Sequence, residues 1–327
     1  MKLYPALSTF ALACALATAT PPASAAESTG PAAQLTQSQA GYHRFKIGAV
    51  EVVALSDGSI GLDTQLLQTP HRHALDVTLK GAHLKSPLDT SVNAYLIKLE
   101  GRLILVDAGT GTLFGPSLNK LPASLRAAGV EPEQITDVLI THVHTDHTGG
   151  LMSGERRIYP NATLHVDQRE LAYWLDADNE QRAPSAKRGF FQQARASLAP
   201  YVAAGQVRGF DGAQQLFPGL SSVPAPGHTP GHSFYRLDSQ GSTLVFWGDV
   251  MHAAEVQLAD PTVTIAYDVD PEAARAQRLR AFADAARAGY LVAPAHMAFP
   301  GVGRLRAEGR AYRWLPLPYV NDAPPPN

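Results

Sequence analysis

The sequence predicts a layered α/β domain holding two sheets. Three observations carry this: short apolar runs bounded by turn residues, helical patterns alternating with them, and two look-alike segments, Gly101 to Asp107 and Gly241 to Asp249, that hint at duplicated halves. Ile47 to Leu55 reads as a strand running into the turn Ser56-Asp57-Gly58. Ala94 to Leu99 and Leu103 to Val106 flank Glu100-Gly101 as a hairpin. Leu118, Leu121, Leu125 and Ala128 share a helical face that stops at Gly129, with Pro122 near its start. Val138 to Thr141, Ala162 to Val166, Leu244 to Trp247 and Tyr290 to Pro294 read as buried strands. The clearest helix has Asp270 as N-cap and Pro271 in its first turn, runs through Leu279 and Phe282, and ends at Gly289.

One stretch resists this reading. Gly61 to Asn93 contains Gln68-Thr69-Pro70 and three histidines, His71, His73 and His83, with no sustained period. It is expected to be a long loop, either a lid over a site or a solvated segment. His71 and His73, two residues apart with no third ligand, read as exposed rather than metal-binding.

Residues 1–25 have a lone Lys2, an apolar run around Leu7 to Ala17 too short to span a bilayer, and the small-residue pattern Ala23-Ser24-Ala25. They read as a secretory signal peptide, which predicts a periplasmic or secreted protein. A buried N-terminal helix is disfavoured because it would have no polar face, and lipidation at Cys14 because the usual Leu three residues before it is missing. Residues 26–41 then form a flexible lead-in to a single domain over 42–327. Cys14 is the one cysteine, so neither a disulfide framework nor a thiolate metal cluster is available. With 27 Lys+Arg against 29 Asp+Glu, the chain lacks the basic excess of a nucleic-acid binder, and small uncharged ligands suit it better. No segment reads as a membrane span.

Twelve histidines are more than such a chain needs, and four potential metal ligands fall within six residues of Thr141-His142-Val143-His144-Thr145-Asp146-His147-Thr148-Gly149-Gly150. They cannot share one helix face, so they require a loop that folds back on itself. That suits two metals: His142 and His144 converge on one, Asp146 and His147 on the other. Gly149-Gly150 is expected to let the chain turn tightly out of the loop. Together at a strand end, these polar groups would be costly to bury without a cation. Three more candidates follow, each at a strand end or in a turn: His228 in Pro226-Gly227-His228-Thr229-Pro230-Gly231-His232, Asp249 after Gly248, and His296.

This set of motifs resembles the metallo-β-lactamase superfamily, whose fold is an αβ/βα four-layer sandwich with metals at one sheet edge. Leu113-Phe114-Gly115-Pro116, Gly189-Phe190-Phe191, Phe282-Ala283-Asp284-Ala285-Ala286, Phe299-Pro300-Gly301-Val302-Gly303, Arg306-Ala307-Glu308-Gly309 and Tyr312-Arg313 are similar, more narrowly, to the methyl parathion hydrolase family of secreted dinuclear hydrolases. The resemblance implies that His142, His144 and His228 hold one metal, that Asp146, His147 and His296 hold the other, and that Asp249 bridges them. Asp146 and Asp249 are then the catalytic carboxylates, Asp107 orients a ligand histidine, and His232 supports the site rather than ligating. It implies a homodimer as well. Phe114, Trp174 and Phe190 match the family's aromatic pocket, and His252, Ile265 and Tyr267, with Arg72, are counted among the pocket residues.

Two cations sharing a carboxylate would acidify a bridging water enough to supply a hydroxide without a side-chain base, so the reaction class is hydrolysis of an ester, lactone or phosphotriester. Zinc is the default for such ligands, with Mn, Co or Fe able to occupy them. His252 stands where organophosphate-hydrolysing members have an aliphatic residue, and with Ile265 and Tyr267 it should narrow the room for a tetrahedral phosphotriester. The expectation is therefore a lactonase or arylesterase of the dihydrocoumarin-hydrolysing kind, with phosphotriester cleavage as a side activity. Methyl parathion hydrolase and acyl-homoserine-lactone lactonase are the alternatives. A β-lactamase is disfavoured because Asp249 replaces that group's Cys or Ser, and a non-catalytic binding protein because all seven ligands are present.

Overall fold

The protein is described by a computed structural model over residues 39–320, so the segment expected to be a signal peptide, with Cys14, lies outside the described residues. Strands of the first sheet follow one another in chain order: β1 (Tyr42–Ile47), β2 (Val50–Leu62), β3 (Leu88–Leu99), β4 (Arg102–Val106), β5 (Asp137–Leu139), β6 (Thr163–Asp167) and β7 (Val207–Phe210). The second sheet does the same with β8 (Gln214–Phe217), β9 (Leu220–Pro224), β10 (Ser233–Ser239), β11 (Ser242–Gly248), β12 (Leu291–Pro294), β13 (Gly303–Glu308) and β14 (Ala311–Pro316). The helices among the described residues are α1 (Arg72–Gly81), α2 (Leu121–Ala127), the single turn α3 (Thr145–Thr148), α4 (Gln168–Trp174), α5 (Ala177–Arg182), α6 (Arg188–Ala203), α7 (Ala254–Ala259) and α8 (Pro271–Ala288).

Each central strand buries both faces. In β3, Ala94 and Leu96 point to a helix-side core with Leu125 of α2, Trp174 of α4 and Leu198 of α6. Tyr95, Ile97 and Leu99 point the other way, into a core shared with Tyr235, Leu237 and Phe246 of the second sheet. Behind that sheet, Trp247 and Val292 pack on Phe282 and Ala285 of α8. The result is helix, sheet, sheet, helix: the αβ/βα four-layer sandwich.

The look-alike segments occupy matching places. β4 and β11 are each the fourth strand of seven, antiparallel to the third and parallel to the fifth. Each is entered through a two-residue turn with both residues left-handed, Glu100-Gly101 (φ 48° and 79°) and Gln240-Gly241 (φ 49° and 77°). Each delivers an aspartate just past its end, Asp107 and Asp249.

Three local expectations are corrected. Gly61 to Asn93 is not a loop: it contains α1 and the start of β3, which pairs along the full length of β2. Only Leu75 and Leu79 of α1 are buried, and His71 before it makes no side-chain cap, so its start carries no signal in the sequence. Ser56-Asp57-Gly58 is a bulge inside β2 rather than a turn. There Asp57 is buried and accepts from Thr110 N and Oγ1 and from Leu121 N, tying β2 to the start of α2. In α8 the N-cap Asp270 and left-handed Gly289 stand as expected, but Leu279 is 38% exposed and the buried face runs through Ala274, Arg278, Phe282 and Ala285.

Candidate metal centre

The parallel strands end at one edge of the sandwich, where the loops after β4, β5, β11 and β12 bring Asp107, the His142–His147 segment, Asp249 and His296 together. Two groups of donor atoms result, His142, His144, His228 and Asp249 in one, and Asp146, His147, Asp249 and His296 in the other. His144 Nδ1 lies 3.1 Å from His142 Nε2 and 3.0 Å from His228 Nε2. In the second group, Asp249 Oδ1 is 3.1 Å from both His147 Nε2 and His296 Nε2, and Asp146 Oδ2 is 3.2 Å from His296 Nε2. Asp249 Oδ2 meanwhile faces His228 Nε2 at 3.3 Å and His142 Nε2 at 3.6 Å. One carboxylate thus turns an oxygen toward each group.

Surrounding residues aim the lone pairs inward. The Nδ1–H of His147 donates to Asp107 Oδ2 (2.8 Å), which leaves Nε2 free for the centre. Asp107 also accepts from Thr141 Oγ1 (2.8 Å), whose oxygen in turn receives the Nδ1–H of His142 (3.1 Å). Asp268 Oδ1 accepts from His228 Nδ1 at 2.7 Å, and the Ser91 carbonyl from His296 Nδ1 at 3.0 Å. His232 ligates nothing: its Nδ1–H donates to the Ala225 carbonyl, and its Nε2 accepts the Asp249 backbone N–H at 3.1 Å. A Cβ on the preceding Gly248, itself left-handed, would meet His232 Nε2 at 2.6 Å.

A further carboxylate holds the two ligand loops to each other. Glu170 Oε2 accepts from Val143 N (2.7 Å), between two ligand histidines, and from Trp174 Nε1 (2.9 Å), while Oε1 accepts from Gly231 N (2.6 Å) in the His228 loop. Glu170, Asp268 and the Ser91 carbonyl were not legible as site residues, because they stand in no short motif and act across long sequence separations; Thr141 opens the ligand motif, but its role beside His142 was not read from it. The glycines after the ligand loop lie in a tight 3-10 turn, Gly149–Leu151, and also allow close approach, since a Cβ on Gly150 would collide with the Ala108 carbonyl.

The donor set fits divalent cations. His147 Nε2 and Asp249 Oδ1 are buried without a hydrogen-bond partner. Burial opposes ionisation of Asp249, yet His147, His296, His252 and His142 hold its carboxyl well below the usual carboxylate range. Burial likewise pulls His228 and His296 down, but Asp249 with Asp268 raises the first to about 9, and Asp249 with Asp146 raises the second to about 10. The carboxylates therefore demand positive charge at this spot, which protons and cations would compete to supply.

Above the centre lies a pocket with Asp146, Asp249, His252 and His296 at its base and Phe114, Phe190 and Tyr267 among its walls. His252 Nε2 sits 3.0 Å from Asp249 Oδ2. Three expected pocket residues are placed elsewhere. Trp174 is 3% exposed and borders a neighbouring cavity, its indole bonded to Glu170. Ile265 is fully buried, paired with Leu67 under α1 and α7. Arg72 opens α1 and donates to the Thr64 and Leu67 carbonyls.

Residues 88–296 match the metallo-beta-lactamase superfamily. A hydrolase of the beta lactamase superfamily, AbOPH, superposes with a TM-score of 0.82 at 32% identity, over 87% of this chain and 100% of that one. The dizinc quorum-quenching lactonase AidC superposes with a TM-score of 0.80 at 24% identity, over 86% and 99%, a likeness of fold. Among curated relatives, N-acyl homoserine lactonase AttM of Azorhizobium caulinodans is 30% identical over 131 residues, and a ribonuclease of Thermus thermophilus is 27% identical over 173. These alignments cover 38% and 52% of the chain and span only 44% and 38% of the relatives' lengths.

Proposed function

The chain belongs to the metallo-beta-lactamase superfamily, and from that membership we propose that it is a metal-dependent hydrolase that opens lactone rings. The observation that carries this reading is the pair of donor groups sharing Asp249 at the base of a pocket walled by apolar side chains. Two divalent ions, zinc by the chemistry of the donors, would supply Lewis acidity at the substrate carbonyl and acidify water near neutral pH.

The chain's own residues do the rest. Asp107, Asp268 and the Ser91 carbonyl fix the tautomers of His147, His228 and His296, so that each presents a lone pair without rearrangement. His232 holds the backbone at Asp249, the residue common to both groups. The walls, including Ile60, Leu62, Val92 and Phe114, keep bulk water off the reacting carbonyl. Tyr267 is pushed up by burial, then by Asp146 and Asp63, so its phenol keeps its proton and can donate to a polar group of the substrate.

Relatives named as acyl-homoserine lactonases favour that substrate class. The aromatic walls Phe114, Phe190 and Tyr267 favour a second reading, a flat aromatic lactone or aryl ester. Phosphotriester cleavage ranks below both, because His252 occupies the space beside Asp249. We propose a periplasmic or secreted location, supported by the signal-peptide pattern read in residues 1–25. Initial rates of the zinc-loaded protein on an acyl homoserine lactone, dihydrocoumarin, an aryl ester and a phosphotriester test the reading. A lactone is expected to be hydrolysed fastest; hydrolysis of none, or of the phosphotriester fastest, overturns it.

A further inference from the structure

A second cavity of about 400 Å³ opens on the other side of His144. Phe190 and Tyr267 line both spaces and stand as the partition between them. The far cavity is apolar along Trp174, Phe191 and Val269, but its rim carries Arg182 and Lys187. Arg182 Nη2 donates to the neutral Asn179 Oδ1 at 2.7 Å, and Lys187 Nζ to the Asp268 carbonyl at 3.4 Å. Neighbouring Arg195 is neutralised by Glu180. Arg182 and Lys187 have no such partner among the described residues, so two uncompensated cations face one apolar cavity beside the centre. The near-neutral balance of the whole chain conceals this local pair.

We propose that this cavity is a second arm of the substrate site, taking a substituent that is apolar along its length and ends in a carboxylate. The inference rests on the lactone and ester hydrolase reading and narrows its substrate class. The aromatic walls accept the chain, and Arg182 and Lys187 bind the terminal anion.

The test uses the zinc-loaded full chain and its Arg182→Gln/Lys187→Gln variant, both changes being at the cavity rim and outside the donor groups. Hydrolysis of 4-nitrophenyl hydrogen suberate, which ends in a carboxylate, is compared with that of 4-nitrophenyl octanoate. The variant is expected to lower the ratio of kcat/KM values, charged over neutral, by about tenfold, through KM and with kcat retained. Added salt should erode the preference in the wild type and not in the variant. In parallel, calorimetry measures binding of the unreactive suberic acid monoamide and octanamide. The acid is expected to bind the wild type more tightly and to lose that advantage in the variant. A ratio that moves less than about twofold, or an acid preference that the variant keeps, overturns the proposal. If neither ester is hydrolysed the hydrolase reading falls, and the calorimetric comparison still decides the arm.

Discussion

Glu170→Gln should weaken both the fold and the metal centre, although Glu170 belongs to neither donor group. Its carboxylate is fully buried and receives Val143 N, Trp174 Nε1 and Gly231 N through two separate oxygens. A glutamine keeps one oxygen, so whichever way it turns, its NH2 group meets at least one N–H donor head-on. Losing one or two charge-assisted hydrogen bonds and leaving a buried donor unmet should cost about 3 kcal/mol. For a chain of this size that lowers Tm by roughly 5–10 °C. Val143 lies between His142 and His144, and Gly231 three residues after His228, so freeing both loops should also lower zinc affinity by about 10–100-fold. Thermal unfolding and zinc competition against a chromophoric chelator measure the two effects. A variant within 1 kcal/mol of wild type and with unchanged zinc affinity would refute the idea that Glu170 clamps the ligand loops.

Zinc affinity should rise with pH through the range where His147, His228 and His296 give up their protons, and each zinc bound should release protons into a weakly buffered solution; uptake without release contradicts the charge competition described above. Away from the site, burial disfavours ionised Asp137, but hydrogen bonds from His165, Thr136 and Arg102 bring its carboxyl below the usual value. Its stabilisation is therefore present above the unfolded carboxylate value of about 3.9 and is lost as pH falls through the depressed folded one. Urea unfolding between about pH 5 and 3 should show a shallower acid loss in Asp137→Asn than in wild type, and equal slopes would sink this assignment. His252→Leu removes the imidazole beside Asp249 Oδ2 and should raise the phosphotriester-to-lactone rate ratio about tenfold; an unchanged ratio would show that His252 does not restrict the pocket.

Sequence made legible whatever is carried by residue type at short spacing. Four ligands in six residues, the Glu100-Gly101 turn, and Asp270 with Gly289 around α8 each act through a neighbour close in the chain. The missed features act across space. Asp57 looks like a turn residue, yet it anchors Thr110 and Leu121 from inside a bulged strand. Glu170 and Asp268 lie 27 and 40 residues from the groups they hold, with no motif to mark them. α1 escaped because it is only ten residues long and starts after His71, which makes no side-chain cap, so no start signal marks it in the sequence. The pocket was legible only in part for a related reason. Phe114, Phe190, His252 and Tyr267 reach it, but whether Trp174, Ile265 and Arg72 face the same space depends on which side of a helix or short ladder each occupies.

Titration of the metal-stripped protein with zinc, followed by the rate of lactone opening, tests the central claim most directly. The account predicts that activity appears only as zinc is added and saturates at two equivalents per chain, one for each donor group around Asp249. Saturation at one equivalent, or two zinc ions bound with no lactone opened, would contradict it.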